Sequence, residues 1–216
     1  MTGISQRFAA VRGLSPLPAS EALKLDIRDV EKGGYVEIKG ATFQVVDVLK
    51  YLEVKWSNYK KKKSDYWVYE LQLFNVKTGE TCFVEWEVDD ELEVCETIAE
   101  VKLRDIKHNG SPVTTRALDE IAEAEYGEVF CNGTTYHYSE DDTWAALFYR
   151  GKEEEPLKVK MYEFHSNGGE FLTVEAWDDE DSKPEREAFT SREIASNNVK
   201  VIQCQPTPTD RKEGNQ

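Results

Sequence analysis

The sequence predicts an all-β fold made of two similar antiparallel β units, packed as a sandwich or a partly open barrel with pseudo-twofold symmetry and one short helix between them. First, the segment 79–90 (GETCFVEWEVDD) recurs as 169–179 (GEFLTVEAWDD). Second, apolar and polar residues alternate through many short stretches, as half-buried strands require. Third, turn residues separate these stretches at short intervals. A repeat of this kind constrains the architecture before any motif is weighed.

The chain divides into a leader, one domain and a tail. Residues 1–20 are expected to form an irregular leader, because Gly13, Pro16 and Pro18 interrupt regular structure. Residues 21–202 are expected to form a single β-rich domain. It contains two repeats, about 25–107 and 127–202, joined by a connector and helix over 108–126. The polar residues 203–216 are expected to be a disordered tail.

The strands of the first repeat follow from its apolar pattern. The sequence predicts strands over 35–38, 43–48, 52–56, 66–76 and 82–88. In the fourth of these, Trp67, Tyr69, Leu71 and Leu73 share one face with a period of two residues, which is typical of a half-buried strand. The turn at 77–79 then leads into the last strand, so the pattern favours antiparallel hairpins.

The connector and the second repeat follow in the same way. A helix is predicted from Arg116 to about Glu125, because Thr114 or Thr115 can cap it and Leu118 begins an apolar stripe. The second β unit then extends from 128 to 202. Its Asn132-Gly133 dipeptide lies between apolar stretches, which is a strong hairpin signal.

Composition excludes some classes of function. The chain has 216 residues, with 27 basic and 42 acidic side chains and a net charge of −15. Such acidity disfavours general binding to nucleic acids. No apolar stretch approaches the roughly 20 residues of a membrane-spanning helix. The first 20 residues lack the apolar region of a secretion signal, so a cytoplasmic location is expected.

Several motifs together resemble the domain of unknown function 4178 family of prokaryotic proteins. They are 32–36 (KGGYV), Gly40-x-x-Phe43, 67–71 (WVYEL), Gly133-x-x-Tyr136 and 172–175 (LTVE). The resemblance covers about residues 25–202, although the lysines at 60–63 and Phe83-Val84 depart from the family pattern. It implies an uncharacterised module with no catalytic residues to transfer. It also implies a setting in a membrane-stress or envelope-maintenance system.

Two carboxylates are weak catalytic candidates. Glu85 and Glu175 occupy equivalent positions in the repeated segment. If the two repeats pack together, these carboxylates could approach each other, which would raise one pKa and permit acid–base chemistry. The alternative is that each glutamate is a structural residue on its own strand, because structural carboxylates far outnumber catalytic ones.

A cluster of lysines and aromatic residues is the main candidate for binding. Four lysines stand at the expected tip of a hairpin and are flanked by Tyr and Trp on an otherwise acidic chain. This composition suits weak contact with an anionic membrane surface or with single-stranded nucleic acid. The alternative is a solvated loop whose aromatic residues belong to the core. The candidate residues are Trp56, Tyr59, Lys60, Lys61, Lys62, Lys63, Tyr66 and Trp67.

The favoured function is a non-enzymatic β module that binds another protein. The nucleotide-binding and hydrolase signature motifs are missing from the sequence, and we expect no cofactor and no metal. The alternatives are a small-ligand binder or a hydrolase-type enzyme with a polar cleft between the repeats, or a peripheral binder that uses the lysines. The identity of the protein partner and the oligomeric state stay open at this point.

Overall fold

The computed structural model describes residues 3–139, 143–150, 155–178 and 185–205, and it is mostly β. The helices are α1 (Gly3–Gly13), α2 (Ala19–Ala22) and α3 (Thr115–Ala124). The strands in chain order are β1 (Tyr35–Ile38), β2 (Ala41–Val54), β3 (Trp67–Asn75), β4 (Thr81–Val88), β5 (Leu92–Glu100), β6 (Lys107–His108), β7 (Ser111–Pro112), β8 (Glu128–Cys131), β9 (Thr134–Tyr138), β10 (Trp144–Tyr149), β11 (Leu157–His165), β12 (Glu170–Asp178), β13 (Glu185–Glu193) and β14 (Val199–Gln203).

The strands form one hydrogen-bonded path with a closed part. The order is β14-β1-β2-β3-β4-β5-β13-β12-β11-β9-β8-β6-β7, and β10 pairs with both β11 and β2. A closed circuit of eight antiparallel strands therefore forms, which is the hydrogen-bonding pattern of a β-barrel. Its strands in order are β2, β3, β4, β5, β13, β12, β11 and β10. The expectation of a sandwich or a partly open barrel is corrected here, because β10 supplies the pairing that closes the circuit.

The strand order agrees with the repeat seen in the sequence. Each of β1, β2, β3, β4, β5 and β6 can be matched in order with β8, β9, β11, β12, β13 and β14. If the two members of every pair exchange places, the strand order from β14 to β6 is simply reversed. The hairpin turns at equivalent places also agree: Lys39 and Gly40, like Asn132 and Gly133, all have positive φ, as the tightest hairpin turn requires. Pseudo-twofold symmetry in three dimensions stays an expectation.

The contacts divide the chain into two compact units, which do not coincide with the two expected repeats. Unit 1 comprises Met1–Leu49, Tyr69–Val94 and Ile194–Gln216, and unit 2 comprises Lys50–Val68 and Cys95–Glu193. Strands β2, β3 and β5 each contribute residues to both units. Each unit therefore contains residues from both halves of the sequence. Of the expected disordered tail, residues 206–216 lie outside the described part of the chain.

Unit 1 has its own apolar core. β1 lies between β14 and β2, and its register places Val36 opposite Val201 on one side and Phe43 on the other. The buried side chains of this core are Ile27, Val30, Val36, Ile38, Val45, Leu71, Leu73, Val84, Val94, Ile194, Val199 and Val201.

Helix α1 replaces part of the expected irregular leader. The expectation fails over residues 3–13 because contacts with residues distant in sequence hold the helix. The buried hydroxyl of Tyr35 donates a hydrogen bond of 2.6 Å to the backbone carbonyl of Ala10. Arg7 Nε donates to the carbonyl of Val76 at 3.4 Å. Neither contact is visible in the local pattern that predicted an irregular segment.

Unit 2 contains helix α3 and two clusters of buried side chains. The helix begins where the sequence predicts, since the Thr114 side chain caps it by accepting from the Ala117 N–H. Its residues Leu118 and Ile121 pack with Tyr162 and Phe164 of β11 in the larger cluster. On the other face of β11, Val159 and Met161 belong to the smaller cluster. β11 is therefore covered on both faces.

No helix in the described ranges is long and apolar enough to cross a bilayer.

Gly34 is predicted to be required by close packing in unit 1. A Cβ at this position would lie 2.6 Å from the Cys204 carbonyl oxygen, 2.7 Å from that of Gln203 and 2.7 Å from Val30 Cγ1. Because two of these atoms are backbone, Gly34→Ala should lower the free energy of unfolding by about 2–3 kcal/mol. Urea unfolding followed by circular dichroism measures this loss.

Gly40→Ala is the matched control for Gly34→Ala. Nothing lies within 4 Å of a Cβ at Gly40, whose φ is +78°, so only backbone strain of about 1 kcal/mol is expected. Equal losses for the two variants would show that packing at Gly34 has no special role.

Candidate functional site

A cleft of about 440 Å³ lies within unit 2. Its walls come from the segment after β2, the beginning of α3, and strands β11 and β12. The lining residues are Trp56, Ser57, Tyr59, Thr115, Asp119, Lys160, Tyr162, Ala176, Trp177 and Asp178. The volume is within the range of small-ligand pockets, so the cleft is the candidate functional site of this unit.

Strand register brings the cleft residues together. Ala145 of β10 lies opposite Val54 on one side and opposite Lys160 on the other. Because residues directly opposite in antiparallel strands share a face, Val54 and Lys160 point the same way. β2 and β11 run in the same direction, so a step of two residues takes Val54 to Trp56 and Lys160 to Tyr162. The rings of Trp56 and Tyr162 pack edge to face, with 5.3 Å between their centres.

Asp119 binds two side chains of β11. The Tyr162 hydroxyl donates to Asp119 Oδ1 at 2.6 Å, and Lys160 Nζ lies 3.4 Å from the same oxygen. Burial raises the pKa of Tyr162 above its usual range, and the hydrogen bond to Asp119 raises it further. Tyr162 therefore stays protonated at neutral pH and acts as a hydrogen-bond donor.

Lys160 lies between a carboxylate and an aromatic ring. Its ammonium is 4.3 Å from the centre of the Trp56 ring, well within the distance at which a cation is attracted to an indole face. Together with Asp119, the ring forms a favourable environment for a positive charge. The wall of the cleft thus already holds one cation of the chain itself.

Charges of both signs lie around Tyr59 in the remaining cleft. The pKa of Tyr59 is raised, first by burial and then by the negative charges of Asp178 and Asp119. These two carboxylates outnumber the single ammonium of Lys160 among the lining side chains. Lys158 Nζ lies 5.9 Å from the centre of the Tyr59 ring, so an ammonium of the chain and the exposed carboxylate of Asp178 both border this part of the cleft.

Thr115 contributes an unused polar atom. It lies at the first position of α3, and its Oγ1 is buried with no hydrogen-bond partner within the described residues. A buried hydroxyl without a partner is unusual, because desolvation costs free energy that a hydrogen bond normally offsets. Because this oxygen is closed off from solvent, Thr115 lines the cleft through its other atoms.

The structure separates the aromatic members of the predicted lysine–aromatic cluster from its lysines. Trp56 and Tyr59 line the cleft. Tyr66 packs against the smaller core cluster. The centre of the Trp67 ring lies 5.7 Å from the centre of the Tyr149 ring. These aromatic residues therefore have contacts within unit 2. Membrane or nucleic-acid binding by this segment stays a prediction.

The four lysines at 60–63 lie on the surface of the connection between β2 and β3. Lys62 forms an ion pair with Glu53. Lys61 pairs with Val54 through an isolated backbone bridge. The lysines thus form an exposed basic group.

The two glutamates proposed as catalytic candidates lie in different units, so each is considered by itself. Glu175 is buried and its Oε2 accepts a hydrogen bond of 3.0 Å from the Trp177 indole N–H. Glu85 lies opposite Glu70 in the pairing of β4 with β3. Burial raises the pKa of Glu85 to about 7, and the charge of Glu87 adds a smaller increase. Their joint use in catalysis stays a prediction.

The described part of the chain shows neither a grouped set of metal ligands nor a disulfide. Its residues contain no group of three or more His, Cys, Asp or Glu side chains placed to hold a metal ion. Cys82, Cys95, Cys131 and Cys204 are free thiols.

Sequence reasoning found Trp56 and Tyr59 but missed the residues opposite them. Lys160 and Asp119 belong to ordinary polar positions of a strand and a helix, and nothing in their local sequence distinguishes them. Tyr162 corresponds to Tyr69 when the two repeats are aligned, since YEL at 69–71 matches YEF at 162–164. Alternation on β11 was the available signal, since it places Lys160 and Tyr162 on one face.

Comparison with known proteins gives one match. The family model described as Domain of unknown function (DUF4178) matches residues 31–196. No curated protein matches the chain, and no solved structure matches it.

The bond between Tyr162 and Asp119 is predicted to stabilise unit 2. Tyr162→Phe removes a buried donor to a carboxylate, so the free energy of unfolding should fall by about 1.5–3 kcal/mol. Tyr126→Phe is the control, because Tyr126 is 83% exposed. A double-mutant cycle with Asp119→Asn measures the coupling between the two groups, and a coupling near zero would contradict the assignment.

Glu85 is predicted to make stability depend on pH. Its folded pKa of about 7 lies above the ordinary value of 4.5, so the folded protein holds this proton more tightly than the unfolded chain. Stability is therefore lost as the pH rises from 4.5 to about 7. Glu85→Gln should raise the free energy of unfolding near pH 8 by about 1–3 kcal/mol.

Denaturant unfolding of Glu85→Gln at several pH values tests this dependence. The gain should disappear near pH 4, where the wild-type carboxyl is neutral in both states. Glu80→Gln is the control because Glu80 is exposed on the turn before β4. A gain that is the same at every pH would refute the role assigned to this proton.

Proposed function

The chain belongs to the Domain of unknown function (DUF4178) family, and we propose that it is a non-catalytic protein-binding module whose cleft takes a lysine or arginine side chain of a partner protein. The observation that carries the proposal is the position of Lys160. Its ammonium lies 4.3 Å from the centre of the Trp56 ring and 3.4 Å from Asp119. The same wall chemistry suits a second cation beside it.

The open part of the cleft has the groups that a basic side chain needs. The Tyr59 ring has Lys158 Nζ 5.9 Å from its centre, so it already attracts an ammonium, and the exposed carboxylate of Asp178 offers a charge partner. Arginine and lysine both bind aromatic faces and carboxylates in this way.

The charge of the whole chain supports a basic partner. With a net charge of −15, the surface attracts positively charged proteins over several ångströms and raises their rate of association. The polar groups of β11 in the cleft are already paired with Asp119, which suits recognition more than proton transfer. We keep the cytoplasmic location expected from the sequence, and we place the module in a membrane-stress or envelope-maintenance system because of the family resemblance.

A free small amine is the second candidate for the cleft. A volume of about 440 Å³ is sufficient for a small ligand as well as for a side chain. The two candidates differ in size, because a partner protein would also contact the surface around the cleft. A peptide should therefore bind more tightly than an isolated amine of the same charge.

Fluorescence anisotropy with short labelled peptides tests the proposal. Peptides that carry four lysines or four arginines should bind with affinities that fall as salt is added. Peptides that carry four glutamates should not bind. Asp178→Asn should weaken binding of the basic peptides by about two- to fivefold, the range expected for an exposed ion pair.

Glu123→Gln is the matched control. Glu123 is an exposed acid on α3 that does not line the cleft, and the substitution changes the net charge by the same amount. If the two variants weaken binding equally, general charge is responsible and the cleft is not the site. Tighter binding of butylamine than of the lysine peptide would favour the small-ligand alternative.

A further inference from the structure

Helix α1 exposes three apolar side chains in a single stripe. Ile4, Phe8 and Val11 are 67%, 62% and 55% exposed. Their spacing of four and three residues places them on one face of the helix. Scattered apolar residues are normal on protein surfaces, but a stripe along one helix indicates an interaction surface.

The position of α1 leaves this stripe accessible. Ala10 is 1% exposed, and its carbonyl accepts the hydrogen bond from Tyr35. Ala10 points about 200° away from Phe8 around the helix axis. Arg7 is also fixed, through its bond to the Val76 carbonyl. The helix thus lies against unit 1 by one side and presents the apolar stripe on the other.

The charges of α1 differ from those of the rest of the chain. Its charged residues are Arg7 and Arg12, and it has no acidic residue, whereas the whole chain carries −15. At about 100° per residue, the two arginines lie roughly 70° to either side of the stripe. An apolar stripe between two basic residues suits an anionic membrane surface, because apolar side chains can enter the acyl boundary while guanidinium groups meet the head groups.

We propose that α1 attaches the protein reversibly to an anionic membrane surface. Ile4, Phe8 and Val11 enter the boundary between head groups and acyl chains, and the arginines contact the anionic head groups. The contact is weak and sensitive to salt, because it rests on three apolar side chains and two charges. It is independent of the cleft in unit 2.

A second copy of the chain is a poorer occupant of the same stripe. A stable dimer interface needs roughly 20–30 residues on each side, and the stripe supplies three. A symmetric pair would also place the Arg7 and Arg12 side chains of one copy close to those of the other. An anionic bilayer satisfies both the apolar residues and the arginines.

Co-sedimentation with vesicles tests this surface. The full chain should bind vesicles of phosphatidylcholine with about one third phosphatidylserine, and bind vesicles of phosphatidylcholine alone much more weakly. Replacing Ile4, Phe8 and Val11 together by Ser should abolish binding. Arg12→Glu should lower the partition coefficient about fivefold or more. Unfolding curves of these variants should match the wild type, since the altered side chains are exposed.

Leu23→Ser is the matched control, because Leu23 is 86% exposed but lies outside α1; it should bind like the wild type. Equal binding by the wild type and the triple Ser variant would overturn the proposal. The proposal would also be overturned if replacement of Lys60, Lys61, Lys62 and Lys63 by Ala abolished binding while the triple Ser variant still bound. A dimer in gel filtration that the triple variant converts to a monomer would assign the stripe to a second copy.

Discussion

The cleft depends on the hydrogen bonding of β10 between the end of β2 and the start of β11. Ala145 pairs with Val54 on one side and with Lys160 on the other, so these two residues are aligned across β10. The contacts of the cleft wall described below build on this alignment. Trp56, two residues past the end of β2, meets Tyr162, which is two residues farther along β11 than Lys160. α3 then covers the same face and brings Asp119 to both β11 side chains. A shift of register by one residue would turn all of these side chains to the opposite face.

The electrostatics of the cleft combine with the charge of the chain. Asp119 is occupied by internal donors, whereas Asp178 lies exposed at the cleft. The internal contacts hold the aromatic wall in place, and the exposed carboxylate is available to a ligand. This division between a paired wall and an open acidic group suits a site that recognises a cation without reacting with it. Helix α1, like the lysines at 60–63, is basic on an acidic molecule, and its arginines suit an anionic surface.

Parts of the fold could be predicted from the sequence because they depend on local signals that the repeat shows twice. Hairpin turns depend on neighbouring residues, so Asn132-Gly133 could be recognised from the dipeptide alone. The alternation on β3 and the cap at Thr114 are also local. Closure of the strand circuit is different, because it joins β2 to a strand about ninety residues later. Pairings at such separation depend on the whole arrangement, and no local pattern distinguishes an open sheet from a closed one.

The sequence by itself therefore determined the β class, several strands and turns of each repeat, the start of α3 and the family of the chain, but it divided β2 (Ala41–Val54) into two strands and did not predict β5 (Leu92–Glu100). Only the tertiary structure decided that β10 closes the circuit, that residues 3–13 are helical, and that Trp56 and Tyr59 line a cleft with Lys160 and Asp119. Local propensities act over a few residues, and they favour or disfavour turns and strands directly. The position of α1 rests on Tyr35 and that of Asp119 on Tyr162, contacts between residues far apart in the chain that form only when the fold is complete.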